Sequence, residues 1–203
     1  MALEVVSLSD LLNMYDENEV QKLLNTFYSR RVTMNYEAHD VENFLKTNAI
    51  LFNKTGISGT HLILSSYKNK TVLVAYFTVA NKELSISKKN VSKMSKTMQK
   101  KIRQRAILNE ENSLYRINAF LIGQIGKNYS SDALNCTNIN GIDILNKAND
   151  LLLELQKGAG GSFAWIEYED VEALRRIYSI FGFSEIPNYN SPNNLKLAIK
   201  QLK

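Results

Sequence analysis

Two hundred and three residues carry 25 Lys and Arg against 20 Asp and Glu, at 44% hydrophobic and 22% charged, the balance of an ordinary soluble domain with enough chain to bury a core. No run approaches the roughly 18 apolar residues of a membrane helix. The opening Met-Ala-Leu-Glu-Val-Val does not read as a leader, and the single Cys136 excludes an intramolecular disulfide, so a cytoplasmic setting is expected.

In chain order, a short strand is expected at Leu3–Leu8. Asp16 then reads as an N-cap with Glu19 three residues on, a capping-box pattern, opening a helix that buries Val20, Leu23, Leu24, Phe27 and Tyr28. A second helix is expected from Asp40 through Val41, Phe44, Leu45, Ile50 and Leu51 to near Gly56. His61–Tyr67 and Thr71–Ala80, joined by Lys68-Asn69-Lys70, read as a hairpin. Next comes a segment, residues 84–109, without an acidic residue. It holds Lys88, Lys89, Lys93, Lys96, Lys100, Lys101, Arg103 and Arg105, and without these eight the chain has 17 basic against 20 acidic residues. The net charge of +5 is therefore one patch on a slightly acidic body, and a patch calls for a partner or substrate. Its apolar residues Val91, Met94, Met98 and Ile102 have helical spacing, with lysines on the other faces.

Leu114–Ile125 reads as a long strand and Gly141 as the opening of helix Ile142–Gln156. Gly158, Gly160 and Gly161 end that helix as a C-cap and turn, since they follow a helix and do not open one. Strand Ser162–Tyr168, helix Val171–Phe181 and strands Phe183–Pro187 and Leu195–Gln201 complete an α/β order of mixed sheet direction.

The run Leu174-Arg175-Arg176-Ile177-Tyr178-Ser179-Ile180-Phe181-Gly182-Phe183, preceded by a strand and the acidic turn Glu167-Tyr168-Glu169-Asp170, resembles the GCN5-related N-acetyltransferase (GNAT) superfamily, whose corresponding helix ends in Tyr-x-x-x-Gly-Phe. The resemblance implies a mixed, mostly antiparallel sheet flanked by helices and splayed between Leu114–Ile125 and Ser162–Tyr168. It implies a single acyltransferase domain over 1–203, with a basic helical insertion at about 88–106. It further implies transfer of acetyl from acetyl-CoA to a primary amine, with Tyr178 as general acid to the departing thiolate; a phenol of pKa about 10 suits that task. From the residues alone, Tyr178 reads first as a core aromatic of an amphipathic helix, and it is the Gly-Phe context that turns the reading toward the acid. Glu167 at the strand end is the candidate general base, with Glu169 beside it; each also reads as a solvated charge.

The strand Ala119-Phe120-Leu121-Ile122-Gly123-Gln124-Ile125-Gly126-Lys127-Asn128, continuing to Asn140-Gly141-Ile142-Asp143, resembles the GNAT acetyl-CoA motif, in which loop and helix amides hold the pyrophosphate. The resemblance implies cofactor contacts at Ile125, Gly126, Lys127, Thr137, Asn138, Asn140, Gly141 and Ile142. Against the motif's Arg/Gln-x-x-Gly-x-Gly/Ala, Cys136 stands for the first residue and Ile139 for a glycine, and the Tyr129–Asn135 loop is long. Either the loop takes another path, with Thr137, Asn138 and Asn140 supplying amides, or cofactor binding has weakened.

Asp40-Val41-Glu42-Asn43-Phe44-Leu45-Lys46, Gly56-Ile57-Ser58-Gly59-Thr60-His61 and Val74-Ala75-Tyr76-Phe77-Thr78-Val79-Ala80 resemble the toxin branch of this superfamily, which acetylates aminoacyl-tRNA. Three functions stay open: the acetyltransferase, its toxin-like form on aminoacyl-tRNA, and an eroded GNAT-fold binding module. Lys88–Arg105 is the candidate contact for nucleic acid or an acidic partner, and a homodimer is compatible with the resemblance. His39 and His61 are isolated, and no spacing of His, Cys and carboxylates marks a metal site.

Overall fold

Lys68 and Asn69 both take left-handed backbone, at φ 49° and 59°, so the hairpin turns in two residues of the twist-matched primed kind. The structure is a computed structural model describing residues 3–30, 40–189, 191 and 193–203; His39 and Pro192 lie outside them. The chain divides into two compact units, residues 1–80 with 123–148, and residues 81–122 with 149–203.

In the first unit, β1 (Glu4–Ser7), β2 (Gly59–Tyr67) and β3 (Lys70–Asn81) pair antiparallel in that order. Ser7 ends β1 and its hydroxyl accepts from Asp10 N–H at 3.0 Å, capping α1 (Leu8–Met14). The reading of the sequence did not anticipate α1. Asp16 caps α2 (Glu17–Leu24) through Asn18 N–H at 2.8 Å. The helix expected from Asp40 divides at Asn48 into α3 (Asp40–Thr47) and α4 (Ala49–Lys54). Leu8, Leu11, Val20, Leu24, Phe27, Leu45 and Ala49 pack on Leu62, Leu64, Leu73 and Tyr76 as one core. Tyr28 stays exposed, against the expectation that it would be buried.

In the second unit, β4 (Leu84–Ser87) leads into α5 (Lys88–Ser92) and α6 (Lys96–Arg105), followed by β5 (Ile107–Asn109) and β6 (Leu114–Ile117). Both β4 and β5 pair antiparallel with β6, forming a small three-stranded sheet. The basic segment is two helices because Ser95 starts the second, its hydroxyl accepting from Met98 N–H at 3.3 Å. Val91, Met94, Met98 and Ile102 are buried as their spacing predicts.

The strand expected over Leu114–Ile125 is two strands, which corrects its expected bounds. Asn118 separates β6 from β7 (Ala119–Lys127), and its carbonyl accepts from Ser162 N–H at 3.3 Å instead of continuing the small sheet. β7 pairs parallel with β8 (Phe163–Tyr168), which pairs antiparallel with β10 (Lys196–Gln201), as does β9 (Ser184–Glu185). The fold is mixed α/β, with a mostly antiparallel central sheet flanked by helices. The parallel register covers three pairs, Ala119↔Phe163, Phe120↔Ala164 and Leu121↔Trp165, so any splay starts beyond Leu121 and Trp165. α7 (Ser131–Cys136) occupies much of the presumed loop, α8 spans Gly141–Ala159 and α9 spans Glu172–Ile180. Gly160 and Gly161, at φ 71° and 90°, form the turn after α8.

Candidate active site

The end of α9 explains the spacing of the Tyr-x-x-x-Gly-Phe run. Phe183 N–H donates to Tyr178 C=O at 2.9 Å, and Gly182 N–H donates to Ser179 C=O at 3.0 Å, with Gly182 at φ 93°. These are the two crossed bonds of a Schellman stop, whose hallmark is an apolar contact between the third-last helical residue and the second residue beyond the cap. Here that pair is Tyr178 and Phe183, with ring centroids 6.0 Å apart at 74°. The glycine and phenylalanine therefore serve architecture.

On its other side Tyr178 meets Tyr168, with centroids 4.9 Å apart. Burial pushes the Tyr178 phenol up to about 12, so it is protonated across the neutral range. Part of the residue's surface stays accessible, and its hydroxyl has no hydrogen-bond partner among the described residues. Tyr168, by contrast, donates to Glu185 Oε2 at 3.1 Å, and burial followed by that carboxylate raises it to about 12. Glu185 and Asp170 also face Arg175 and Lys196. These half-exposed pairs contribute orientation more than stability: they tie the start of α9 to β9 and β10.

Alternation along β8 sends Phe163, Trp165 and Glu167 to one face and Ala164, Ile166 and Tyr168 to the other. Glu167 therefore lies on the face opposite Tyr168 and Tyr178. Its Oε1 accepts from the Tyr189 hydroxyl at 3.1 Å. Phe163 and Trp165 on the Glu167 face pack with Val91, Met94, Met98 and Ile102, so α5 and α6 cover that side of the second unit. All eight basic residues of this segment except Lys101 are exposed, and Lys101 is partly so. Among the described residues their ion pairing is limited to Lys88–Glu110 at 3.5 Å.

In the first unit, Ile125, Gly126 and Lys127 end β7. Gly126 is buried, and a Cβ there would come within 3 Å of Phe27, Val41 and Tyr76 side chains. Its lack of a side chain thus serves close packing of β7. Lys127 Nζ lies 5.5 Å from the Tyr129 ring centroid. Cys136 is buried, with its thiol toward Ser66 C=O at 3.7 Å, and Ile139 is buried too. No residue from 127 to 142 has positive φ, so the loop follows another path that needs no glycine at 139.

Asn140 begins α8. Its Oδ1 accepts from Ile142 N–H at 2.8 Å and Asp143 N–H at 3.1 Å, while Asp143 Oδ2 accepts from Asn140 N–H at 2.9 Å. This reciprocal cap consumes the Asn140 and Ile142 amides expected to face a pyrophosphate, and it sets a carboxylate in the first turn. Thr137 N–H is bound to Ala133 C=O. The N–H groups of Asn138, Ile139 and Gly141 have no acceptor among the described residues. These three amides, and not those of the capped turn, are what this segment leaves free among the described residues.

Reading the sequence missed Asn128, which is 1% exposed. Its Oδ1 accepts from Tyr28 N–H at 3.0 Å and Ser130 N–H at 2.9 Å, and its Nδ2 donates to Thr26 C=O at 3.1 Å and Leu73 C=O at 2.6 Å. It pins the end of β7 where the chain turns toward α7. The only signal in the sequence was an asparagine after a strand.

Among the described residues no group of His, Cys, Asp and Glu is arranged to hold a metal, and no helix is long and apolar enough to cross a membrane. No protein-family model and no curated protein sequence matches the chain. Solved structures do. AtaT complexed with acetyl-methionyl-tRNAfMet superposes with a TM-score of 0.65 at 16% identity, covering 98% of this chain and 95% of that one. A tyrosine-to-phenylalanine mutant of KacT gives 0.64 at 16%, covering 100% and 96%. AtaTR bound with AcCoA gives 0.57 at 13%, covering 98% and 93%. The likeness to these solved structures lies in the fold and runs along nearly the whole chain.

Proposed function

We propose that the chain is an acetyl-CoA-dependent N-acetyltransferase of the toxin-like kind, moving acetyl to the amino group of an aminoacyl-tRNA. The observation that carries this reading is Tyr178: a protonated, largely buried phenol with an uncommitted hydroxyl, fixed by a helix stop. The whole-chain likeness to AtaT with acetyl-methionyl-tRNA and to AtaTR with AcCoA supports the donor and the acceptor.

Acetyl-CoA supplies an activated acyl thioester. Of the residues expected to hold it, Gly141 and Asn138, joined by Ile139, offer amides to the diphosphate; Ile125, Gly126 and Lys127 form the strand leading to them. Tyr178 delivers its proton to the departing sulfur. Burial raises the phenol, and desolvation at the same site would raise the departing thiol in the same direction. Glu167, oriented by Tyr189, receives the amine proton from the face that α5 and α6 cover, and their exposed cations neutralise acceptor phosphates.

The reciprocal cap of Asn140 and Asp143 specifically favours a second reading, a GNAT-fold binding module that has lost its donor. Calorimetric titration with acetyl-CoA separates the two, since absence of binding at high micromolar ligand leaves only the module. With binding in hand, labelled acetyl transfer to aminoacyl-tRNA is followed for wild type and Tyr178→Phe. The variant is expected to keep donor affinity and lose about a hundredfold or more in turnover. Full turnover in the variant removes Tyr178 from the chemistry.

A further inference from the structure

The second unit contains a cavity of about 330 Å³ whose lining includes three lysines, with Met98 as its apolar member. Lys101 of α6, Asn149 of α8, Gly182 after α9, and Lys200, Gln201 and Lys203 at the end of β10 form most of its wall. No aspartate or glutamate among the described residues lines it. Lys200 Nζ donates to Asn149 Oδ1 at 2.9 Å and stands 3.8 Å from the Phe181 ring centroid, so both of its partners are neutral. Burial lowers its pKa. Lys101 and Lys203 make no ion pair with a described residue. Lys203 is exposed and Lys101 partly so, leaving the cavity reachable from solvent. With Asn149 Oδ1 turned to Lys200, its Nδ2 remains a donor. Three lysines and an asparagine lining one cavity that no aspartate or glutamate side chain lines make a wall suited to an anion.

We propose that this cavity is a phosphate-binding subsite, in which Lys101, Lys200 and Lys203 surround one phosphate and Asn149 Nδ2 donates to it. The phosphate belongs to a nucleic-acid backbone or to a free phosphoanion, which present the same chemistry. α6 leads toward the first source, because Lys96, Lys100, Arg103 and Arg105 are exposed on the helix that supplies Lys101. The inference does not rest on acetyl transfer and stands for either reading of the function.

Binding of inorganic pyrophosphate to the full chain at low salt is followed by phosphorus NMR, and binding of a short labelled RNA by fluorescence anisotropy. Lys200→Met keeps the apolar stem over Phe181 and removes the charge. Lys101→Ala with Lys203→Ala tests the remainder, and Lys22→Ala, outside the basic segment, is the exposed control. Circular dichroism checks the fold of each. Pyrophosphate affinity is expected to fall about tenfold or more in both pocket variants and to hold in the control. If RNA affinity falls alongside, with a salt slope shallower by about 0.7 to 0.9 per lysine removed, the backbone is the source. If pyrophosphate alone is affected, the ligand is a free phosphoanion. No binding by wild type, or equal affinity in wild type and both pocket variants, overturns the subsite.

Discussion

Replacing Asn128 by alanine tests whether the end of β7 is held by one side chain. The four hydrogen bonds of its amide reach three separate stretches: residues 26 to 28, β3 and the turn at Ser130. Three are part-buried, and the bond to Leu73 C=O is fully buried. Taking about 1 kcal/mol for each of the first three, and about 2 for the buried carbonyl left unpaired, the variant should lose about 4 to 5 kcal/mol. That is a large share of the roughly 5–15 kcal/mol of a typical domain. Urea unfolding by circular dichroism reads the loss, and hydrogen exchange at Tyr28 and Ser130 reads it locally. Asn128→Asp keeps both acceptor bonds and turns a carboxylate oxygen toward two carbonyls, so it should be as damaged near neutrality and recover in part on acidification, when a protonated carboxyl can donate again. A cost below about 1 kcal/mol for alanine, with unchanged exchange, would falsify the argument that these bonds act together.

Two further predictions concern titration and donor affinity. Burial alone would raise the Glu42 carboxyl, but hydrogen bonds from Lys46 Nζ and from the N–H and hydroxyl of Ser29 outweigh it and hold the group below its ordinary value of 4.5. The unfolded chain therefore takes up the proton first: the stabilisation is complete well above 4.5 and is lost as pH falls through the lowered folded value. Glu42→Gln should flatten that acid limb of the stability curve, and an unchanged limb counts against the assignment. Asp143→Asn removes the carboxylate from the first turn of α8, so acetyl-CoA should bind several-fold tighter at low salt, as calorimetry would read; weaker binding would show that the carboxylate does not oppose the donor.

Legibility from the sequence followed how locally each feature is determined. The hairpin tip at Lys68 and Asn69, the Asp16 cap and the stop at Gly182 depend on a few adjacent residues, and each could be read directly. Asn118 was missed because the apolar run continues through it, and only its bond to Ser162 reveals that the chain changes sheet there. Asn128 was missed because its four partners come from distant parts of the chain. The glycine pattern around 136–141 misled in a different way: a loop carrying α7 reaches the next helix without left-handed residues, so losing a motif glycine need not mean strain. The place of Tyr178 at the end of its helix was legible by resemblance, but whether its hydroxyl was already spoken for depended on the packing around it.

The small sheet of β4, β6 and β5 gives the basic segment a mechanical property that its composition would not foretell. A lysine-rich stretch is commonly a mobile tail that must surrender conformational freedom whenever it engages an anion. Here the chain enters α5 from β4 and leaves α6 into β5, and both strands are hydrogen-bonded to β6. The intervening apolar residues are sealed into the core. The eight cations are therefore spaced in advance on a braced plate. Polyanion binding should accordingly depend steeply on salt while showing little of the heat-capacity change that accompanies coupled folding.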